Sequence, residues 1–169
     1  PEKIAWLQCV GSRDINKGDH AYCSGVCCMY ANKQAVIAKE HSDKGMDAAI
    51  FFMDMRTHGK DFDKYNIRAQ DNGVRFIRSR IHSVFPEVGD KYRIVYSTEA
   101  GSMVEEIFDM VVLSVGLSPN KDAQQLAEKI GIELNSHGFA HTDNLSPVTT
   151  NKKGVYVCGA FQEPKDIPS

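Results

Sequence analysis

The chain has 169 residues, 42% of them hydrophobic, and 20 Lys and Arg against 22 Asp and Glu give a net charge of −2. Ordinary apolar content with so small a charge excludes intrinsic disorder, and the near-neutral balance gives no electrostatic basis for binding nucleic acid or an anionic membrane. The longest apolar stretches, 48–53 (AAIFFM) and 110–117 (MVVLSVGL), fall far short of the roughly 20 residues that a membrane-spanning helix needs.

Residues 4–10 (IAWLQCV) form a short apolar run closed by Gly11 and are expected to be a buried strand. The polar, glycine-bounded stretch 11–22 reads as a loop. From Ser24 to about Lys44 the composition favours helix, with Ser24 as N-cap and Gly45 as the stop. A second buried strand is expected at 47–55, a charged helix around 61–70 and a third strand at 73–81, with the stretch to Pro86 leading out of it. The alternating segment 91–98, the turn at 101–102 and the segment 103–116 look like an antiparallel pair, and VVLSVG is apolar enough to lie centrally in a sheet. A helix at 123–131, closed by Gly131, follows, and a last strand is expected at 154–160 (GVYVCGA). Strands alternating with helices, interrupted by an antiparallel excursion, predict an α/β fold on a parallel sheet.

Five cysteines stand out: Cys9, Cys23, Cys27, Cys28 and Cys158. An odd number without a basic-then-apolar leader argues against a disulfide framework and for metal, cluster or redox use in a reducing, cytoplasmic setting. The chain begins with Pro1, almost directly before an apolar run, and stops at PKDIPS; it is expected to be an excerpt of a longer protein. Cys9 falls near the carboxyl end of the first strand, and Cys23, Cys27 and Cys28 near the start of the first helix. In an open α/β sheet that is the crevice where ligands bind. A single zinc ion needs four sulfurs about 2.3 Å from one point, which the adjacent Cys27 and Cys28 reach awkwardly. A [4Fe–4S] cluster spreads its ligands over four irons and tolerates their divergence better. A structural zinc site in a docking module and a thiol–disulfide redox pair stay open beside it. At the same place a dinucleotide fold carries G-x-G-x-x-G; here only Gly11 remains. Asp54 lies where a ribose-binding acid would, Arg56 where a 2′-phosphate partner would. Without the glycines their simpler roles are a cap and a surface charge. Cys158 reads as a buried strand cysteine, and His20 as a solvated loop residue.

The segments 108–120 (FDMVVLSVGLSPN) and 147–160 (PVTTNKKGVYVCGA) resemble the crossover strand and the flavin-side strand of the pyridine-nucleotide-disulfide oxidoreductase superfamily. Ala160 stands where that superfamily has a flavin-contacting Asp, so backbone N–H groups would have to serve the ribityl chain. WLQCVGSRD, YCSGVCCMYANKQAVIAKE, FFMDMRTHGKDFDKY, GVRFIRSR, VVLSVGLSP and VYVCGAFQEPKDIP together resemble the flavoprotein A-subunits of heterodisulfide reductases. The flavin subunits of the quinone-interacting membrane-bound oxidoreductase are related to these.

The resemblance implies a three-layer FAD/NAD(P)-binding domain of thioredoxin-reductase type. Residues 1–110 would be a degenerate NAD(P)-binding-like domain carrying the cysteine site, and 111–169 the incomplete return into the FAD-binding domain. It implies part of a multisubunit oxidoreductase in which FAD exchanges electrons with partner subunits through a [4Fe–4S] cluster on Cys9, Cys23, Cys27 and Cys28. Gly159, Ala160, Pro164, Lys165, Asp166 and Ile167 would belong to the FAD pocket. The implied partners are the other subunits of a heterodisulfide-reductase-type complex and electron carriers such as ferredoxin or hydrogenase subunits. The family's first FAD glycine loop has no counterpart here, so the excerpt alone is expected to be inactive and to lack flavin.

Overall fold

The computed structural model describes residues 1–16 and 20–167, which form two compact units. The first comprises residues 1–11 and 26–116, the second 12–25 and 117 onward.

In the first unit β1 (Lys3–Val10) leads, by way of α1 (Cys27–Glu40), to β2 (Asp47–Phe52), α2 (Asp63–Asp71) and β3 (Arg75–Arg78). Then come β4 (Val84–Glu87), β5 (Lys91–Ser97), β6 (Met103–Phe108) and β7 (Met110–Val115). The strands make a parallel sheet of order β3-β2-β1-β7 and an antiparallel sheet of order β4-β5-β6. β1 reads as an unbroken apolar run because both of its faces are covered. Ile4 and Trp6 pack with Ala31, Ala35 and Val36 of α1 and with Ile50. On the opposite face Ala5 and Leu7 pack with Ala49, Phe51, Ile94, Tyr96 and Phe108. Phe51 meets Tyr96 edge-on at 5.0 Å and Phe108 at 5.9 Å. Helices, parallel sheet and antiparallel sheet are thus the three expected layers.

Several boundaries differ from the sequence expectation. α1 starts at Cys27 rather than near Ser24 and ends at Glu40, not at Gly45. Ser24 caps nothing in α1: its Oγ accepts the Leu117 N–H at 2.8 Å. Residues 84–87 form a strand, with Phe85 opposite Arg93 and Pro86 opposite Tyr92; Pro86 is tolerated because β4 is an edge. The run 103–116 is two strands in two sheets. It breaks at Asp109, whose Oδ2 accepts the N–H groups of Glu2 at 2.7 Å and Lys3 at 3.0 Å. β7 is not central but an edge, paired with β1 alone, which leaves Leu113 53% and Val115 61% exposed.

The second unit contains α3 (Ala123–Ile130), closed as expected by Gly131 at φ 73°. Ala127, Ile132, Ala140 and Val157 form its core. The expected strand at 154–160 does not form. Tyr156 makes an isolated bridge to Thr149, Val157 donates to the Val148 carbonyl at 2.9 Å, and the chain turns into a short 3₁₀ segment, Gly159–Phe161. A strand needs a ladder, and residues 148–150 supply only the beginning of one. Cys158 is consequently exposed rather than buried. Residues 20–25 pack within this unit. The Tyr22 hydroxyl donates to the Leu117 carbonyl at 2.9 Å, and its ring lies 4.9 Å from His137 and 5.5 Å from Phe139. His20 Nε2 sits 3.0 Å from Ser118 Oγ.

Glu106 joins the layers of the first unit. It takes Lys3 Nζ at 2.7 Å, Arg75 Nη2 at 2.7 Å and the Tyr96 hydroxyl at 3.0 Å. Burial alone would raise its pKa, but the bonds from Lys3 and Arg75 outweigh burial and hold it below the usual glutamate value. A carboxylate depressed in the native state adds stability above its unfolded pKa, and that stability is lost as pH falls through the native value. Glu106→Gln is expected to cost about 1–3 kcal/mol at pH 7. Urea unfolding from pH 7 to pH 3 should show a smaller acid loss for the variant than for the wild type.

Candidate redox site

β2 and β3 lie on one side of β1 and β7 on the other. The carboxyl ends of β1 and β7 therefore flank the topological switch point, where an open α/β sheet binds its ligands. The β1–β7 register slips between Leu7 and Val10. Cys9 sits in that slip, buried, at φ 60°. A non-glycine residue pays about 1–2 kcal/mol for this left-handed conformation, and bulges of this kind re-aim a side chain at the rim of a sheet.

Cys27 is the first residue of α1, and its thiol donates to the Val115 carbonyl at the end of β7, at 3.4 Å. Cys28 follows and is buried. No acidic residue occupies the first turn of α1, so its unpaired N–H groups and dipole favour anionic thiolates there. Cys23 belongs to the second unit. It is half-buried, and its Sγ accepts the Gly25 N–H at 3.4 Å.

The structure therefore brings Cys9, Cys27 and Cys28 to one end of the first unit and places Cys23 in the other. Among the described residues no disulfide forms, and no three His, Cys, Asp or Glu side chains are gathered to hold a metal ion. The donor chemistry suits sulfur-ligated iron. Two buried amides lie near these cysteines in the sequence. Gln8, just before Cys9, donates to Ser114 Oγ at 2.9 Å and leaves Oε1 without a partner. Asn32, one turn after Cys28, leaves Oδ1 without one. Buried polar atoms are normally paired, and an apolar crevice gives no reason to keep either amide. Sequence reading passed over both. Their signal was a Gln inside an apolar strand and an Asn on the buried face of a helix.

Asp54 and Arg56, after β2, pair with each other at 2.7 Å. His20 is engaged by Ser118 rather than simply solvated.

The expected flavin-side residues lie in the second unit. Gly159 has φ 63°, and a Cβ there would meet nothing within 4 Å. Ala160 and Ile167 are exposed, while Pro164, Lys165 and Asp166 are half-buried. Lys165 Nζ donates to Gln162 Oε1 at 2.6 Å and pairs with Glu163 at 3.2 Å. Gly25, at φ 72°, faces this segment closely: a Cβ on it would stand 3.7 Å from the Pro164 carbonyl oxygen. The loop that carries Cys23 thus passes close to Pro164 at Gly25.

Residues 46–168 match the family described as pyridine nucleotide-disulphide oxidoreductase. The heterodisulfide reductase A-subunit-like protein of Archaeoglobus profundus is 41% identical over 172 residues, covering 99% of this chain and 24% of that protein. The iron-sulfur A-subunit of the CoB–CoM heterodisulfide reductase of Methanocaldococcus jannaschii is 43% identical over 173 residues, covering 99% of this chain and 26% of that protein. The chain thus spans about a quarter of the length of these curated relatives. Among solved structures, LpdA from Mycobacterium tuberculosis superposes with a TM-score of 0.52 at 17% identity, covering 95% of this chain and 30% of that one. That likeness is one of fold. Among the described residues no helix is long and apolar enough to cross a membrane.

The left-handed φ of Cys9 carries its own expectation. Cys9→Gly removes the conformational strain that Cys9→Ala retains. The glycine variant should be the more stable of the two by about 1 kcal/mol in urea unfolding, the reverse of the order at an ordinary strand position.

Proposed function

The chain belongs to the pyridine nucleotide-disulphide oxidoreductase family, and on that premise we propose that it is the electron-transfer part of an iron–sulfur flavoprotein oxidoreductase. Cys9, Cys23, Cys27 and Cys28 ligate a [4Fe–4S] cluster, and Gly159 to Ile167 contribute to an FAD pocket in the intact protein. The cluster supplies one-electron chemistry and the flavin couples it to electron pairs. The observation that carries this reading is Cys9: a buried thiol kept in a left-handed bulge, at the strand end where a dinucleotide fold has its glycines.

The roles of the residues follow from their places. The helix start favours the thiolates of Cys27 and Cys28. The bulge aims Cys9. Residues 20–25 belong to the same unit as the segment of Gly159 to Ile167, and Gly25 approaches Pro164. At the flavin, Ala160 offers no carboxylate, so open backbone around Gly159 is what remains to bind. The names of the relatives, which include an iron-sulfur A-subunit and the A-subunit of a ferredoxin:CoB-CoM heterodisulfide reductase, support the same class of activity. They also support a place among the subunits of a heterodisulfide-reductase-type complex, with ferredoxin as an electron carrier. Hydrogenase subunits as further carriers and a cytoplasmic location belong to the same proposal.

Iron and acid-labile sulfide per chain, measured after anaerobic reconstitution, test the reading. Four of each are expected from the cluster stoichiometry, with absorption near 400 nm that bleaches on dithionite. Cys27→Ser or Cys28→Ser should lose most of it. Zinc bound at the thiols without that absorption, or a reversible disulfide with little iron, would replace the cluster by a structural metal or a thiol redox pair.

A further inference from the structure

Asn32 lies on α1 among the buried residues Cys28, Met29, Ala31, Ala35 and Val36, and it is itself 0% exposed. A carboxamide brings two N–H donors and an acceptor oxygen. Here Nδ2 reaches Met55 Sδ at 3.9 Å, a weak acceptor, and Oδ1 has no partner. An apolar residue of the same shape would avoid that penalty, so the fold alone gives no reason for an amide. Its position offers one. Asn32 follows Cys28 by four residues, which puts both on one face of α1, and helical side chains lean back over the preceding turn.

We infer that Asn32 is a positioning residue for the sulfur site, giving an N–H to the Cys28 sulfur when that sulfur is a cluster ligand. The inference rests on the reading of Cys28 as a ligand proposed above. A hydrogen bond to a ligating sulfur stabilises the more negative, reduced state, and so raises the reduction potential. Met55 contributes by facing the amide with a thioether, which leaves the donor uncommitted to any stronger acceptor.

Asn32→Leu and Asn32→Met test this in the intact protein. Each removes the amide while keeping similar bulk. The site's reduction is followed by EPR at poised potentials, and its signal is assigned by its loss in Cys28→Ser. Both variants should keep wild-type iron and sulfide and shift the reduction equilibrium against the reduced form by about two- to tenfold, the worth of one hydrogen bond. Freed of cluster, they should unfold at temperatures no lower than the wild type. An unchanged potential in a variant that holds its cluster overturns the inference and leaves the cluster reading intact. Loss of iron from both variants alone would mean that Asn32 assembles the site rather than tunes it. A marked drop in stability without the cluster would make the amide structural. Absence of iron from the wild type would remove the premise itself.

Discussion

The first unit depends on a carboxylate shared between its layers. A parallel sheet covered by helices on one face and by an antiparallel sheet on the other must fix two unlike interfaces at once, and apolar contact fixes neither register. Glu106, on β6, takes Lys3 from β1, Arg75 from β3 and Tyr96 from β5. Arg75 in turn holds both oxygens of Asp47 at the start of β2, at 2.8 and 2.9 Å. One planar guanidinium thus spans two carboxylates from different sheets, the bidentate geometry that lysine cannot provide. Asp109 adds to it by binding the first backbone N–H groups of β1 just where the chain leaves one sheet for the other.

This ionic anchor sits at the amino ends of the parallel strands, whereas the thiols gather at the carboxyl ends. Lys3 and Cys9 are six residues apart on β1, about 20 Å at the rise of an extended strand. Two cations, Lys3 and Arg75, face two carboxylates, Asp47 and Glu106, so at that distance their fields largely cancel. The scaffold can therefore be highly charged without setting the electrostatics of the sulfur site. The site is left to local influences: a helix start, a strained strand end and two buried amides.

Much of this was legible in the sequence, because β1, α1, β2, α2 and α3 are written in local composition and apolar spacing, with Gly131 closing α3. The elements that were misread depend on partners far away in the chain. Nothing near Asp109 announces that it will bind Glu2 and Lys3. The apolar run through 103–116 therefore reads as one strand until the fold divides it. Pro86 can stand in a strand only at a sheet edge, and nothing local announces that β4 is one. GVYVCGA has the composition of a central strand but finds only residues 148–150 to pair with, so composition and structure part company there. At the site the cysteines were plain from their spacing. The strained φ of Cys9 and the unpartnered amides of Gln8 and Asn32 are tertiary facts that no spacing encodes.

The division of the chain between its units also bears on how the protein is made. The path crosses from one unit to the other after Gly11, again after Gly25 and a third time after Gly116. The second unit closes when Ser24 receives the Leu117 N–H from 93 positions further along the chain. A ribosome adding about 5–20 residues per second needs on the order of 5–20 s to supply that partner. Throughout that interval Tyr22, Cys23 and Ser24 have emerged without the residues that later enclose them. The thiol of Cys23 is then open to oxidation or to stray metal, so the order of translation itself favours making this protein under reducing conditions. The same crossings mean that no single cut separates the second unit from the first, since residues 26–116 of the first lie between its two parts.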